Sequence, residues 1–502
     1  MSGRGADGLA QEMKAMNKLL DVARGAFSRL PPGARMRLGS VLKHVPTDLL
    51  YGKTYRDWRR RIEQARNDPS GMAAYRNQAR VEIVASVWDT APYYRETLER
   101  VFGSGFDPAS VVDDAVWQAI PVLEGPTVHV EGPRMCVVPA SRLDLTSTGG
   151  SSGQPVKFYI DRHRSPIEIA FLHDAWSVAG YRTGDARAVF RGFEIDETGE
   201  RSFVFDPGLN ELRCSVFRLT DPVMQGFHDE IRVRGIRLLQ GYPSAVAIFA
   251  SYLLRSGQAP MREITGIITM SEPMRDAYRA ILAEAFPDAV LSLSYGLTEK
   301  VAFAVSDPTG PEIYRFNPLY GYTEMVDDDG RSVTEPGQSG RIVSTGLIFR
   351  GMPLLRYDTG DTAELIEVAS AENGWRMAVG RITPKQGNEW LVGRTGVLIS
   401  LIGALQISKE MNTIREFQFF QDTPGLAVLR VAPLDGVAPD FTDYRERFER
   451  KAAGELTLHV DIVDAIPVTM RGKRKFIDQR LDLAAASHAA GLAYKLTEIE
   501  PA

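Results

Sequence analysis

Four short stretches carry residue types whose spacing suits phosphate and metal chemistry. In "TSTGGSSGQPVKFY", three glycines and five hydroxyl residues fall within the eight positions Thr146 to Gly153. Glycine lets the backbone approach an anion closely, successive amides form an anion-binding nest, and hydroxyls donate to phosphate oxygens. The "GK[ST]" of a Walker loop is missing. In "LSLSYGLTEK", a strand-like run ends in Tyr295-Gly296, with Thr298 and Glu299 directly behind. A flat ring there suits a base, a hydroxyl suits a phosphate, and a carboxylate suits Mg²⁺. In "MPLLRYDTGDTAEL", Asp361 follows a glycine at a turn, where a carboxylate can accept both hydroxyls of a ribose. In "IPVTMRGKRKFIDQRL", Lys473 sits in a polar loop near the chain end, placed to neutralise developing phosphate charge. Singly, these also read as a flexible loop, a strand end, a turn and a solvated lysine. Their order along the chain carries more than any one of them.

The elements that must position these residues change texture along the chain. Up to about residue 105, "LAQEMKAMNKLLDVARGAF" and "MAAYRNQARVEIVASVWDTAPYYRETLERVF" space their apolar residues at three and four, which predicts helices with a break at Pro92. From about residue 140, β-rich runs such as "ARAVFRGF", "EITGIITM" and "AVLSLSYG" alternate with helical stretches such as "SPIEIAFLHDAWSVAG" and "EPMRDAYRAILAEAF". That alternation predicts an α/β domain with a mostly parallel sheet. From about 310 to 394 the runs read as antiparallel strands, with "DDG" in "YTEMVDDDGRSV" as a hairpin turn. The tail from about 396 holds "AVLRVAP" and "LTLHVDIV" around the helix "DYRERFERKAAGEL", a small α+β unit. No internal repeat or low-complexity linker is visible.

With 502 residues, two to four domains are expected. Hydrophobic residues at 44% and charged residues at 25% fit a globular protein. A formal charge of −5 argues against a general nucleic-acid binder. One basic cluster, Lys53, Arg56, Arg59, Arg60, Arg61 and Arg66, reads as a solvated helix face. Cys136 and Cys214 are too few for a disulfide framework and lack metal-ligand spacing. We read them as reduced and buried. The N-terminus shows no signal-peptide pattern. The longest apolar stretch, Val397 to Ile407, is interrupted by Ser400 and Gly403 and falls well short of the ~18 residues a span requires. A soluble cytoplasmic enzyme is the expectation.

Six segments in one order resemble the adenylate-forming superfamily of acyl-CoA synthetases, non-ribosomal peptide adenylation domains and luciferases. They are "STGGSSGQPVKFY", Gly241-Tyr242-Pro243-Ser244, Ser271-Glu272-Pro273, "YGLTEKVAFA", "MPLLRYDTGD" and "MRGKRKF". The likeness is to the phenylacetate-CoA ligase-like branch, in particular its capsular-polysaccharide-associated subgroup, which "YGKTYRDWRRRIEQARNDP" also resembles. It runs from about residue 85 to 480. The resemblance implies a large multi-subdomain N-terminal domain over 1–394, with mostly parallel sheets and a β-rich part, and a small mobile α+β C-terminal domain over 395–502. It implies that Thr148, Gly149, Gly150, Ser151, Ser152 and Gly153 bind phosphate, that Ser271, Glu272 and Pro273 line the adenine site, and that Tyr295 and Gly296 flank adenine and substrate. It further implies that Thr298 contacts phosphate, Glu299 coordinates Mg²⁺, Asp361 binds ribose, Arg394 precedes the interdomain hinge and Lys473 serves adenylation. The acid pocket is expected near Tyr242, Pro243, Ser244 and Ser294, with Arg191 and Phe193 facing it; a surface salt bridge is the other reading of Arg191.

This chain departs from the family at three points. Gln154 stands where the loop usually has lysine, Thr395-Gly396 replaces the hinge carboxylate, and "RGKRK" offers Lys475 beside Lys473. The implied reaction uses ATP and Mg²⁺ to turn a carboxylate into an acyl-adenylate with release of pyrophosphate. The acyl group then passes to an acceptor, coenzyme A first among the options. The alternatives are an amine or hydroxyl acceptor without coenzyme A, and a regulatory member that only binds nucleotide. No nucleic acid and no membrane span are expected. The resemblance leaves the oligomeric state open, a homodimer included.

Overall fold

The structure is a computed structural model describing residues 47–483 apart from 148–155, 194, 196–200, 218, 273, 275, 309, 311, 384–389, 402–409, 411–412, 435–436 and 467–476. The chain enters through the helices Thr47–Asn67, Pro69–Thr90 and Pro92–Phe102. The second is opened by Asp68, whose side chain accepts from the Gly71 amide at 2.8 Å, an N-cap ahead of Pro69. It ends at Thr90 because Pro92 fixes its own φ and pushes Ala91 into extended backbone. The break expected at Pro92 is therefore present.

Strands β1 (Leu143–Ser147) and β2 (Lys157–Asp161) pair antiparallel. The next twelve strands form one sheet. They are β3 (Arg187–Arg191), β4 (Phe203–Asp206), β5 (Glu211–Ser215), β6 (Leu238–Gly241), β7 (Gly266–Met270), β8 (Val290–Gly296), β9 (Phe303–Ser306), β10 (Tyr314–Phe316), β11 (Gly321–Val326), β12 (Ser339–Gly346), β13 (Tyr357–Glu367) and β14 (Ala378–Val379). Their order is β11-β12-β13-β14-β10-β9-β8-β7-β6-β3-β5-β4.

From β5 through β3, β6 and β7 to β8 the pairing is parallel. Parallel neighbours need crossovers, and the helices Asp221–Val233, Pro243–Arg255 and Asp276–Ala285 supply them. From β8 onward the pairing is antiparallel. The two textures read from the sequence are thus halves of one continuous mixed α/β sheet. The "DDG" turn is also present: Val326 bridges Ser332 and Gly330 takes the left-handed φ of 82°.

Arg356 ties the lead-in to this sheet. It is 2% exposed, and its guanidinium donates to Glu324 Oε1 at 2.7 and 3.0 Å and to the Ile120 carbonyl at 2.5 Å. Leu123 and residues 356–358 exchange backbone bonds of 2.9 Å on either side. A buried guanidinium must be paired to be tolerated, and here the pairing fixes where β13 lies.

Another buried group sets an acid response. His173, 2% exposed, lies among the rings of Tyr51, Trp176 and Tyr181 with Nδ1 2.9 Å from Tyr55 Oη. Burial first, then Arg187 and Arg59, push its pKa down to about 3. Between pH ~6.5 and that value the unfolded chain binds the extra proton. The stability contribution of neutral His173 is complete above pH ~6.5 and lost as pH falls toward 3. Urea midpoints measured from pH 7 to 4.5 should fall more steeply for the parent than for His173→Phe, by up to ~1.4 kcal/mol per pH unit. Parallel slopes would remove His173 from the acid response.

The C-terminal part is a four-stranded sheet, ordered β19-β18-β17-β20. Its members are β17 (Ile414–Thr423), β18 (Leu426–Pro433), β19 (Thr457–Ile462) and β20 (Ile477–Gln479), with the helix Thr442–Lys451 beside it. Its core holds Phe417, Phe419, Leu429, Tyr444 and Phe448. A hairpin of β15 (Trp390–Val392) and β16 (Leu398–Ser400) belongs with it. Gln421 bonds both the amide and carbonyl of Val392, at 2.7 and 2.8 Å, and Gln479 donates to the Trp390 carbonyl at 2.9 Å. Among the described residues no helix is long and apolar enough to cross a membrane.

Candidate functional site

The parallel strands end level with one another. Phe190 stands opposite Gly241, Gly241 opposite Thr269, and Met270 opposite Ser294. The register sets the chain after each strand along a single carboxyl edge, where open α/β sheets receive ligands. Arg191, Tyr242, Ser271 and Tyr295 all come to that edge. Gly241 is required there, because a Cβ would stand 2.5 Å from the Phe190 carbonyl oxygen. The chain then turns through Tyr242 into the helix Pro243–Arg255, whose Ser244 amide donates to Glu272 Oε2 at 3.3 Å. The Arg191 guanidinium lies 5.8 Å from the Tyr242 ring centre, a cation–π distance. The buried hydroxyls of Ser244 and Ser294 have no hydrogen-bond partner among the described residues. Buried hydroxyls normally have one.

The third motif reaches this edge from farther away. β14, β10 and β9 separate β13 from β8 in the sheet. Yet Tyr295 Oη donates to Asp361 Oδ2 at 2.8 Å, and Tyr357 Oη donates to Glu299 Oε1 at 2.8 Å. Each segment supplies one tyrosine and one carboxylate, so the pairs cross and lock 295–299 to 357–361. Asp361 is 8% exposed. Gly360 reaches its left-handed φ of 79° without Cβ strain and donates its amide to Asp358 Oδ1 at 2.8 Å. Arg341 pairs with Asp358, and the Asp361 amide donates to Thr359 Oγ1 at 3.2 Å. The carboxylate is held before any ligand arrives.

Burial raises the Glu299 carboxyl above its usual range, with neighbouring Asp361 adding to the rise; its own amide and Tyr357 offset part of it. Burial likewise raises the phenols of Tyr295 and Tyr357, which remain neutral donors. Lys300, next in sequence, is engaged elsewhere: its Nζ is 2.6 Å from Glu168 Oε2, and Tyr320 Oη donates 2.6 Å to Oε1 of the same carboxylate. Glu299 and Asp361 are near enough for the charge of Asp361 to raise the Glu299 carboxyl, a neighbourhood suited to a cation. Among the described residues no group of three or more His, Cys, Asp or Glu side chains is placed to hold a metal. The donor set fits Mg²⁺ of the kind that takes one or two carboxylates and completes its shell with phosphate and water.

The structure therefore gathers Arg191, Tyr242, Pro243, Ser244, Ser271, Glu272, Ser294, Tyr295, Gly296, Thr298, Glu299 and Asp361 around one sheet edge. Arg394 is elsewhere. It occupies the turn of the β15–β16 hairpin, where its amide donates to the Glu455 carbonyl at 2.9 Å and its Nη2 to Thr457 Oγ1 at 3.4 Å. Thr148, Gly149, Gly150, Ser151, Ser152, Gly153, Pro273, Lys473 and Lys475 lie outside the described residues. Tyr357 is the residue that sequence reading passed over. Strand alternation puts it on the face of Asp361, a usable signal, but its acceptor is 58 residues away in sequence.

No family model matches the chain. Protein CapK of Staphylococcus aureus is 23% identical over 348 residues, 67% of this chain and 74% of CapK. The phenylacetate-coenzyme A ligase of Aromatoleum evansii is 24% identical over 300 residues, 56% of this chain and 64% of that ligase; the match thus spans less than two thirds of the ligase. A solved 2-hydroxyisobutyryl-CoA ligase, in complex with 2-HIB-AMP and CoA, is similar at a TM-score of 0.49 with 17% identity, over 84% of this chain and 91% of that one. With six ordered motifs, four of them meeting at the carboxyl edge of a mixed sheet, and with these sequence relatives, the chain is similar to the phenylacetate-CoA ligase-like branch of the adenylate-forming superfamily.

Proposed function

We propose that the chain is an AMP-forming acid–thiol ligase, which activates a carboxylate as acyl-AMP, releases pyrophosphate and passes the acyl group to coenzyme A. The observation that carries this reading is the crossed pairing of Tyr295 with Asp361 and Tyr357 with Glu299. It presents a ribose-type acceptor and a cation-type acceptor side by side at the carboxyl edge. In this reading Asp361 accepts from the ribose hydroxyls, Tyr295 and Gly296 flank the adenine, and Ser271 and Glu272 close its other side. Thr298 and the loop 148–153 donate to the phosphates. Glu299 would hold Mg²⁺, which supplies charge neutralisation on the phosphates when bound. Ser244, Ser294, Tyr242, Pro243 and Arg191 border the acid. Lys473, outside the described residues, would add positive charge at the phosphates; we place a small C-terminal domain from about residue 395, with the β15–β16 hairpin and Arg394 packed against its sheet. The name of the Aromatoleum relative supports coenzyme A as the acceptor.

The test is pyrophosphate release with ATP and Mg²⁺ across a panel of aryl, aliphatic, amino and sugar acids, with and without coenzyme A. One acid should give a burst that becomes sustained turnover only when coenzyme A is added. A burst that coenzyme A leaves unchanged, and that an amine or alcohol sustains, would replace the thiol acceptor. Absence of acid-dependent release throughout would leave a nucleotide-binding protein and overturn the ligase reading.

A further inference from the structure

The basic cluster on the helix Thr47–Asn67 does not belong to the site above. It borders an open recess of about 530 Å³ lined by Tyr55, Arg56, Arg59, Arg60 and Thr183. The recess lies toward the amino ends of the parallel strands: Thr183 precedes β3, which then runs from Arg187 to Arg191 at the catalytic edge. Tyr55, 2% exposed, forms the floor, with Oη 3.0 Å from Thr183 Oγ1 and 2.9 Å from His173 Nδ1.

Among the described residues, the basic side chains on and beside the walls outnumber the carboxylates they pair with. Asp57 is shared between Lys53 and Arg60. Asp174 is shared between Arg66 at 2.6 Å and Arg59 at 3.4 Å. Among the described residues four cations thus divide two carboxylates; Arg56, which has a partner of its own, lines the same recess. Arg59 spends its visible bonds at long range, 3.4 Å to Asp174 and 3.3 Å to the Ala170 carbonyl, although a guanidinium carries five donors. A plain solvated helix face is convex and needs no floor. Here the guanidinium groups border a concavity of small-molecule size, with hydroxyls beneath, in a chain of net charge −5. Planar guanidinium forks match phosphate oxygens bidentately.

We propose that this recess binds a phosphate-bearing small molecule between Arg56, Arg59 and Arg60, at a site separate from the nucleotide edge. The concave shape and the acidic whole favour a small anion over a nucleic acid.

The experiment is calorimetric titration of inorganic phosphate into the full chain, with ionic strength held constant by chloride. It uses the parent, the triple variant Arg56→Gln/Arg59→Gln/Arg60→Gln, and Arg60→Glu alone, whose parent side chain is 71% exposed and reverses charge with little risk to folding. The parent should show one saturable site that is at least tenfold weaker in both variants. Their acid-dependent pyrophosphate release should stay at the parent level, which marks the site as distinct and the variants as folded. No saturable binding in the parent, or equal affinity in Arg60→Glu and parent, overturns the proposal. A double-stranded DNA oligonucleotide that outcompetes phosphate at this site overturns the assignment to a small ligand.

Discussion

Lys473→Ala is expected to slow adenylate formation by about 10²–10³-fold and to leave transfer from a chemically made acyl-adenylate near the parent rate. Both reactants of the first step are anions, so its barrier is largely electrostatic. The described part of the site adds carboxylates, Glu299 and Asp361, and its neighbouring lysine, Lys300, is committed to Glu168 at 2.6 Å. In the proposed reading Arg191 borders the acid, so a further side-chain cation for the phosphates is expected from another part of the chain. Lys473 follows Gly472 in "MRGKRKF", about 80 residues beyond Arg394, and lies outside the described residues. If it serves adenylation as proposed, its charge should matter most as pyrophosphate leaves and so act on the transition state more than on ground-state binding. Lys475→Ala should leave both half-reactions intact. The measurement is the pair of half-reactions on each variant. Equal losses in both halves for Lys473→Ala would mean misfolding or one fixed geometry. Loss confined to Lys475→Ala would transfer the role to that lysine.

Asp361→Ala is expected to weaken ATP binding by about 100-fold or more, since two charge-assisted hydrogen bonds to ribose contribute roughly 1.5–3 kcal/mol each. A structural effect accompanies the loss: Tyr295 Oη, 2.8 Å from Asp361 Oδ2, would be left without its acceptor. Asp361→Asn separates the two effects. The amide oxygen still accepts from Tyr295, so thermal stability should stay near the parent, while the lost charge should still weaken ATP. Calorimetric dissociation constants and melting temperatures on the parent and both variants decide it. Unchanged ATP affinity in the Ala variant would overturn the ribose assignment. A fall in melting temperature common to Ala and Asn would mean that the carboxylate charge, and not the Tyr295 bond, holds the clasp.

The sequence by itself determined the two textures of the sheet, the helix break at Pro92, the turn at Gly330 and the α+β character of the tail. These follow from local rules: proline fixes φ, glycine opens the left-handed region, and alternation decides which face a side chain takes. It also determined the six motifs and their order, because each motif is continuous in the chain. Only the tertiary structure decided that the parallel and antiparallel runs form one sheet. Only it put Tyr357 on Glu299 and Tyr295 on Asp361, partners 58 and 66 residues apart. Spacing assigns a residue to a face of its own strand, and which segment lies across from that face depends on strand order. For the same reason Arg356 reads as a motif position in the chain and as a buried anchor for Glu324 in the fold. Arg394 follows a short strand in sequence, but the bonds of Gln421, Glu455 and Gln479 decide that its hairpin packs on the C-terminal sheet. The arginines at 56, 59 and 60 were legible as a charged helix face. The concavity they border exists only because Thr183, 123 residues past Arg60, closes it from the far side.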